Sequence, residues 1–103
     1  MQIIPIQDVP NQIFNVLLAN QSVKIALNTR STGLYCDVYI DDVLIIAGVI
    51  CLNLVKIVRS TYLGLIGDLG FLDTEGLNDP SYPGLGNRYV LFYLEASDIR
   101  EAS

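Results

Sequence analysis

The sequence has no histidine and no tryptophan among its 103 residues, and it contains only two cysteines and one methionine. A chain without histidine has no Ser-His or Cys-His catalytic pair, lacks the commonest metal ligand, and has no side chain that ordinarily titrates near neutral pH. Enzyme classes that depend on these groups are therefore excluded.

Positive charge is also scarce. Six basic residues against eleven acidic ones give a net charge of −5, and the isoelectric point is about 4.3. A surface with this balance has little attraction for phosphate backbones or anionic lipids. We therefore expect no sequence-specific nucleic-acid partner.

Long hydrophobic segments and targeting signals are absent as well. The longest apolar run, Val43 to Val55, is thirteen residues long, whereas a membrane-spanning helix needs about 20. The first residues carry neither a basic region nor a small-residue cleavage site, so they do not resemble a signal peptide. We expect synthesis in the cytoplasm and no membrane insertion.

The two cysteines, Cys36 and Cys51, each lie in an apolar, strand-like run with no cationic residue beside them. Small secreted domains that need disulfides usually carry four or more cysteines, and a nucleophilic thiolate needs a cationic neighbour or a helix N-terminus. We predict two reduced, buried thiols that act as small hydrophobic side chains.

Short runs of alternating apolar and polar residues are what the chain does contain. Such alternation over Ile13–Leu18, Ser22–Asn28 and Leu34–Ile40 predicts a hairpin and a third strand. Because a register slip of one residue would expose the whole apolar set, we predict that one set faces inward together. Its members are Val23, Ile25, Leu27, Leu34, Cys36, Val38 and Ile40.

The second half of the chain alternates less regularly. Val43–Ala47 is continuously apolar and predicts a strand buried on both faces, and the β-branched content of Val49–Val58 favours another strand over a short helix. Six glycines and two prolines make Tyr62–Gly86 mostly loop, with one short strand around Leu69–Leu72. Arg88–Leu94 predicts the last strand.

These segments predict an all-β fold, a small antiparallel β-sandwich or barrel of about six to seven short strands. A chain of this length fits one domain. Its predicted parts are an extended arm (1–11), a strand meander (12–61), a Gly/Pro-rich loop region (62–87), a final strand (88–94) and a polar tail (95–103).

Candidate chemical sites are few. Asp37, Asp41 and Asp42 lack the glycine and bidentate glutamate of a calcium loop, so we interpret them as strand and turn residues. Asp68 and Asp73 offer a paired-carboxylate hydrolase only as a weak hypothesis. Gly64, Gly67 and Gly70 are not followed by the lysine and helix of a phosphate loop, and indicate backbone bends.

Aromatic residues provide two further hypotheses. Four tyrosines at strand alternation, Tyr35, Tyr39, Tyr89 and Tyr93, have too few basic neighbours for base stacking and favour a protein interface. The alternative function is a small-molecule or glycan-binding β-barrel, in which the loop covers a pocket lined by Phe71, Tyr82 and Tyr89.

An ordered set of short motifs runs through nearly the whole chain. Those in the first half are Ile4-Pro5-Ile6, Pro10-Asn11-Gln12, Phe14, Val16, Leu18, Gln21, Val23, Ile25, Leu27, Tyr35, Asp37-Val38-Tyr39 and Gly48. Those in the second half are Gly67-Asp68-Leu69, Phe71, Asp73, Asp79-Pro80, Tyr82, Leu85-Gly86, Arg88-Tyr89, Leu91 and Tyr93. Together they resemble the small baseplate plug proteins of contractile-tailed bacteriophages, of the myophage and cyanophage type.

The resemblance implies a non-catalytic structural protein of the virion, at the centre of the tail baseplate, with no catalytic, metal or cofactor-binding residues to transfer. Its implied partners are hub, spike and tail-tube proteins and itself, with a trimer favoured because central hub and spike assemblies in such baseplates are trimeric. We expect the arm and the loop to contact neighbouring subunits. The apolar residues proposed for this interface are Ile3, Ile4, Ile6, Val9, Phe71, Tyr82 and Leu85.

Overall fold

Seven β-strands in two antiparallel sheets form the regular structure of residues 2–18, 20–58 and 67–95, which the computed structural model describes. The strands are β1 (Gln2–Ile4), β2 (Asn11–Leu18), β3 (Gln21–Arg30), β4 (Gly33–Ile40), β5 (Val43–Ile50), β6 (Asp68–Asp73) and β7 (Tyr89–Leu94). A single turn of 3₁₀ helix spans Tyr82–Gly84. No helix among these residues is long and apolar enough to cross a membrane.

The larger sheet is a meander with strand order β2-β3-β4-β5. Its alternating sequence places one set of side chains inside, as predicted. Six members of the predicted inward set are at most 1% exposed, and Ile40, at the end of β4, is half-buried against the core. The register was therefore determined by the need to bury one face of each strand.

The β4–β5 connection is a two-residue loop, Asp41-Asp42, in which both residues have positive φ angles, 51° and 65°. This is the type I′ geometry that matches the twist of a hairpin, and aspartate tolerates it better than most residues. The turn prediction for these two acids is confirmed.

The smaller sheet has strand order β1-β7-β6 and packs over the inner face of the meander. Ile25 and Leu27 of the meander share one buried cluster with Phe71 of β6 and Leu91 of β7. The fold is therefore a β-sandwich, and the predicted strands around 69–72 and 88–94 are confirmed as β6 and β7.

Two predictions about the middle of the chain are wrong. The run Val43–Ala47 is not buried on both faces, since it belongs to β5 at the end of the meander, where Val43 is 64% exposed and Leu44 is 50% exposed. A strand over Val49–Val58 is also not formed, because β5 ends at Ile50. The chain then runs irregularly beside β6, held by Leu54 N–H to Phe71 O (2.8 Å) and Ile57 N–H to Leu69 O (2.9 Å).

The N-terminal arm also differs from its prediction. Residues Gln2–Ile4 pair antiparallel with β7 of the same chain, and Ile4 is only 2% exposed. Pro5, which cannot donate a ladder hydrogen bond, comes immediately after this edge strand. Ile4 was expected to contact a neighbouring subunit. In this fold it packs instead against the smaller sheet of its own chain. Residues 96–103 of the predicted polar tail lie outside the described residues, as do residues 59–66, which include the start of the predicted loop region.

Candidate assembly site

Asp73, at the end of β6, is held by four hydrogen bonds. Its Oδ1 accepts from Arg88 Nε (2.8 Å) and from the Glu75 backbone N–H (2.9 Å), and its Oδ2 accepts from Arg88 Nη2 and the Asn78 backbone N–H (2.9 Å each). The carboxylate has no exposed side-chain surface. Thr74 N–H and Oγ1 both donate to the Arg88 carbonyl at 2.8 Å. Asp73 and Arg88 therefore close the loop between β6 and β7.

The same contacts determine the chemistry of Asp73. The paired Arg88 guanidinium and the two backbone donors hold the pKa of this carboxyl well below its usual range. A general acid must carry a proton, and a good general base has a pKa near the working pH. Asp73 satisfies neither condition, so its geometry supports a structural role over the hydrolase hypothesis.

Substituting Asp73 with asparagine is expected to lower stability, and the loss should depend on pH. The folded-state pKa is depressed, so the carboxylate stabilises the fold above the unfolded pKa of about 4, and this contribution disappears as the pH falls towards the folded-state value. Thermal denaturation should show a large difference between wild type and D73N at pH 7 and a smaller one in acid. Asp8→Asn, at an exposed position, is the control. An equal difference at both pH values would contradict this account.

The other acidic residues also serve the backbone. Asp68 Oδ1 accepts from the N–H groups of Val58 (2.8 Å) and Leu69 (2.7 Å), and Asp79 Oδ1 accepts from Asn53 N–H (3.0 Å). The bond from Val58 attaches the irregular segment after β5 to β6, and the bond from Asn53 attaches it to the β6–β7 loop. These two bonds join residues that are distant in sequence, so no local sequence pattern signalled them.

The predicted turn acids of the larger sheet are likewise engaged. Asp37 Oδ1 accepts from Gly48 N–H at 2.7 Å, and the exposed Asp42 carboxylate lies 2.9 Å from Lys24 Nζ. Across the described ranges, no three histidine, cysteine or acidic side chains converge as a metal site would require.

Cys36 and Cys51 are buried and are not joined by a disulfide, as the sequence predicted. A hydrogen bond with the Cys51 thiol, together with burial, raises the pKa of the Cys36 thiol well above its usual value. A thiol in this state is a poor nucleophile. The two residues therefore act as core side chains.

The three residues proposed to line a small-molecule pocket do not share the depression found beside the β6–β7 loop in the described part of the chain. A shallow depression of about 420 Å³ lies beside the β6–β7 loop, and of the three proposed residues only Tyr89 lines it, together with polar residues such as Glu75 and Arg88. Phe71 is fully buried in the core. Phe71 and Tyr89 are core residues of one buried cluster, and Tyr82 is the most exposed of the three.

The tyrosines divide between the two sheets. Tyr89 and Tyr93 are buried in the smaller sheet, whereas Tyr35 and Tyr39 lie on the outer face of the meander, under Arg30 (4.8 Å) and Lys24 (5.3 Å) respectively. The outer pair is half-buried. Amphipathic aromatic residues in this position are typical of protein interfaces.

The seven apolar residues predicted to contact neighbouring subunits separate into two groups. Three are at most 2% exposed and belong to this chain's own core: Ile4, Phe71 and Leu85. Four retain exposed or half-buried surface: Ile3, Ile6, Val9 and Tyr82. Only the second group is accessible to a partner in this fold.

A further exposed apolar surface, not predicted from the sequence, lies on the two outer strands of the meander. On β2, Ile13 is 62% and Leu17 is 67% exposed, and on β5 the exposed residues include Val43 and Leu44. Neither strand contains a charged residue or a proline. That absence is readable in the sequence, but it identifies an edge only once the strand order is known.

Two antiparallel sheets around one core, with buried acids that bind the backbone, define a small all-β domain. The chain belongs to the family described as the cyanophage baseplate Pam3 plug gp18, whose model matches residues 1–96. No curated protein matches the chain significantly. The family match confirms the baseplate plug resemblance found in the sequence.

Proposed function

We propose that this chain is a non-catalytic structural component of a phage tail baseplate, where it acts as a plug at the centre. The observation that carries this proposal is the family match over residues 1–96. A match of that extent covers both sheets of the sandwich, so the shared feature is the whole domain.

The state of the polar residues supports a structural role. Asp73, the strongest candidate for catalysis, is engaged by Arg88 and by two backbone donors. The net charge of −5 also suits a position on the path of DNA, because a negatively charged surface repels the phosphate backbone. A plug that bound DNA would obstruct the tail.

The proposed partners are hub, spike and tail-tube proteins together with further copies of the chain, with a trimer favoured. The residues proposed for these contacts are Ile3, Ile6, Val9 and Tyr82, together with the exposed edges of β2 and β5. The proposed location is the virion, after synthesis in the host cytoplasm.

Mass spectrometry of purified virions tests the location. We expect peptides of this chain in intact particles, and we expect electron microscopy of the tail tip to place a two-sheet domain on the tail axis. Particles that contain the hub and tube proteins but never this chain would overturn the proposal.

A further inference from the structure

Both outer strands of the meander have an unprotected edge. Within the described chain β2 pairs only with β3, and β5 pairs only with β4. Each is eight residues long, and the charged residues of this sheet lie on the inner strands, at Lys24, Arg30 and Asp37. Monomeric proteins usually protect an edge by charge, proline or short length. In the described part of the chain neither edge has these three protections, and β5 differs from β2 in its two register irregularities.

The free edge of β2 directs the backbone groups of Ile13 and Leu17 outward. Thr29 N–H donates to Pro10 O at 2.9 Å, so these two residues form a hydrogen-bonded pair. Hydrogen-bonded and non-hydrogen-bonded pairs alternate along an antiparallel ladder, and the β2–β3 register is continuous. Ile13 and Leu17 therefore fall in non-hydrogen-bonded pairs, with their N–H and C=O groups facing the open edge.

The same argument gives the orientation of the Ile50 backbone, at the end of β5. Cys51 N–H donates to Leu34 O at 2.8 Å, which makes them a hydrogen-bonded pair. The preceding pair, Ile50 with Tyr35, is therefore non-hydrogen-bonded. The backbone groups of Ile50 face away from β4.

The orientation of the Leu44 backbone follows from the hydrogen bonds between β4 and β3. Asp41 N–H donates to Ser22 O at 2.9 Å, so the backbone groups of Asp41 point towards β3. Those of Tyr39, two residues earlier, also point towards β3. Leu44 lies opposite Tyr39, in a non-hydrogen-bonded pair. Its backbone groups also face the open edge.

The outward-facing positions on the two edges have equal spacing. Ile13 and Leu17 are four residues apart on β2. Leu44 and Ile50 are six residues apart on β5, but two register irregularities lie between them, so their partners on β4, Tyr39 and Tyr35, are four residues apart. All four side chains project from the outer face of the sheet, since their partners on the neighbouring strand belong to that face.

The outer face of the sheet has two shallow depressions where Ile13 and Leu17 occur. One depression of about 240 Å³ adjoins Leu17 and is lined also by Asn15 and Ser22. A second, of about 330 Å³, adjoins Ile13 and is lined also by Ala26. Both depressions lie over β2 and its neighbour β3, so the outer face beside this edge is uncovered in the described part of the chain.

We infer that a second copy of this chain adds its β5 edge to the β2 edge, antiparallel, with Leu44 opposite Leu17 and Ile50 opposite Ile13. The inference deepens the proposed assembly role and rests on it. The sheet then continues from copy to copy in a head-to-tail arrangement, which forms a closed ring when the rotation between copies closes.

Charge and coverage identify a second copy as the occupant. Two identical chains of net charge −5 repel over most of their surface, so they can approach closely only where both surfaces are uncharged, as β2 and β5 are. Head-to-tail pairing covers both edges of every copy in a ring. A two-fold pairing of β5 with β5 would leave Ile13 and Leu17 in water, at 62% and 67% exposure.

Lysine substitutions on the full chain test this arrangement. Light scattering at micromolar concentration should show an oligomer for the intact chain, and both L17K and L44K should reduce the mass to the 11.4 kDa of one chain, because a lysine on an edge opposes pairing. L77K is the matched control, since Leu77 is 85% exposed and lies in a loop; it should leave the mass unchanged. All three variants should keep the circular dichroism spectrum of a folded β domain, and L17K and L44K should melt at one common temperature, at or below that of the oligomeric wild type, because association stabilises the folded state.

Cross-linking tests the register. A short bismaleimide should join copies of the double variant L17C/L44C into a ladder, and should join neither single variant, while the native thiols of Cys36 and Cys51 are buried. Dimers from L44C alone, or loss of mass in L44K but not in L17K, would indicate β5–β5 pairing and overturn the inference. A monomeric intact chain would do the same. These measurements use the purified chain, so they fail or succeed separately from its detection in virions.

Discussion

Replacing Ile25 with alanine is expected to lower the free energy of unfolding by about 2–5 kcal/mol. Ile25 has no exposed surface, lies at the centre of β3, and belongs to the cluster that both sheets share. Removing its side chain leaves a cavity that two hydrogen-bonded sheets cannot easily collapse to fill. Chemical denaturation should show this loss as a lower transition midpoint with an unchanged slope.

Ile13 offers a matched control on the neighbouring strand. Ile13 precedes Phe14 on β2 and pairs with Ala26, the residue after Ile25 on β3. Its side chain therefore points to the outer face of the sheet, where it is 62% exposed. In the L44K background, which is expected to be monomeric, Ile13→Ala should therefore change the free energy of unfolding by about 0.5 kcal/mol or less. Equal effects of the two substitutions would show that the register of β2 and β3 is wrong.

Deleting residues 1–9 is expected to destabilise the fold strongly, and by more than the loss of one core side chain. The deletion removes the whole β1–β7 ladder, which pairs residues 2–4 with 91–93, and it removes Ile4 from the core. Ile4→Ala alone should cost about 2–5 kcal/mol. Denaturation of the truncated chain and of I4A measures both losses.

Ile3 provides the internal comparison, because it is 54% exposed and lies beside Ile4 on the same strand. Ile3→Ala should leave the stability of one chain nearly unchanged. A truncated chain as stable as the intact one would mean that β1 does not pair with β7 in solution, and that the arm is free to contact neighbouring subunits.

The inward face of the meander was predictable from sequence because burial and alternation are local. Each strand must hide one face, and Val23, Ile25 and Leu27 can only do so together. The Asp41-Asp42 loop was predictable for a similar reason, since short acidic residues tolerate the positive φ angles that a two-residue hairpin requires. The family was recognisable as well, because its motifs keep their order along nearly the whole chain.

The contacts of Asp73 needed the tertiary structure. Fifteen residues separate it from Arg88, and they meet because β6 and β7 pair so that Asp73 lies opposite Tyr89. Nothing in the loop sequence specifies that pairing. The sequence alone therefore left Asp73 as a hydrolase hypothesis, and the geometry made it a structural ion pair.

The sequence by itself determined which side chains are apolar, which face of each alternating strand is buried, and the strands of the first hairpin, of β4, β6 and β7. It did not determine β1 or the end of β5. Only the tertiary structure decided which strands are neighbours, because strand pairing joins residues that are distant in the chain. An uninterrupted apolar run such as Val43–Ala47 is equally compatible with a central strand and with an edge that another copy covers. Its position at the end of the meander assigns it to the edge.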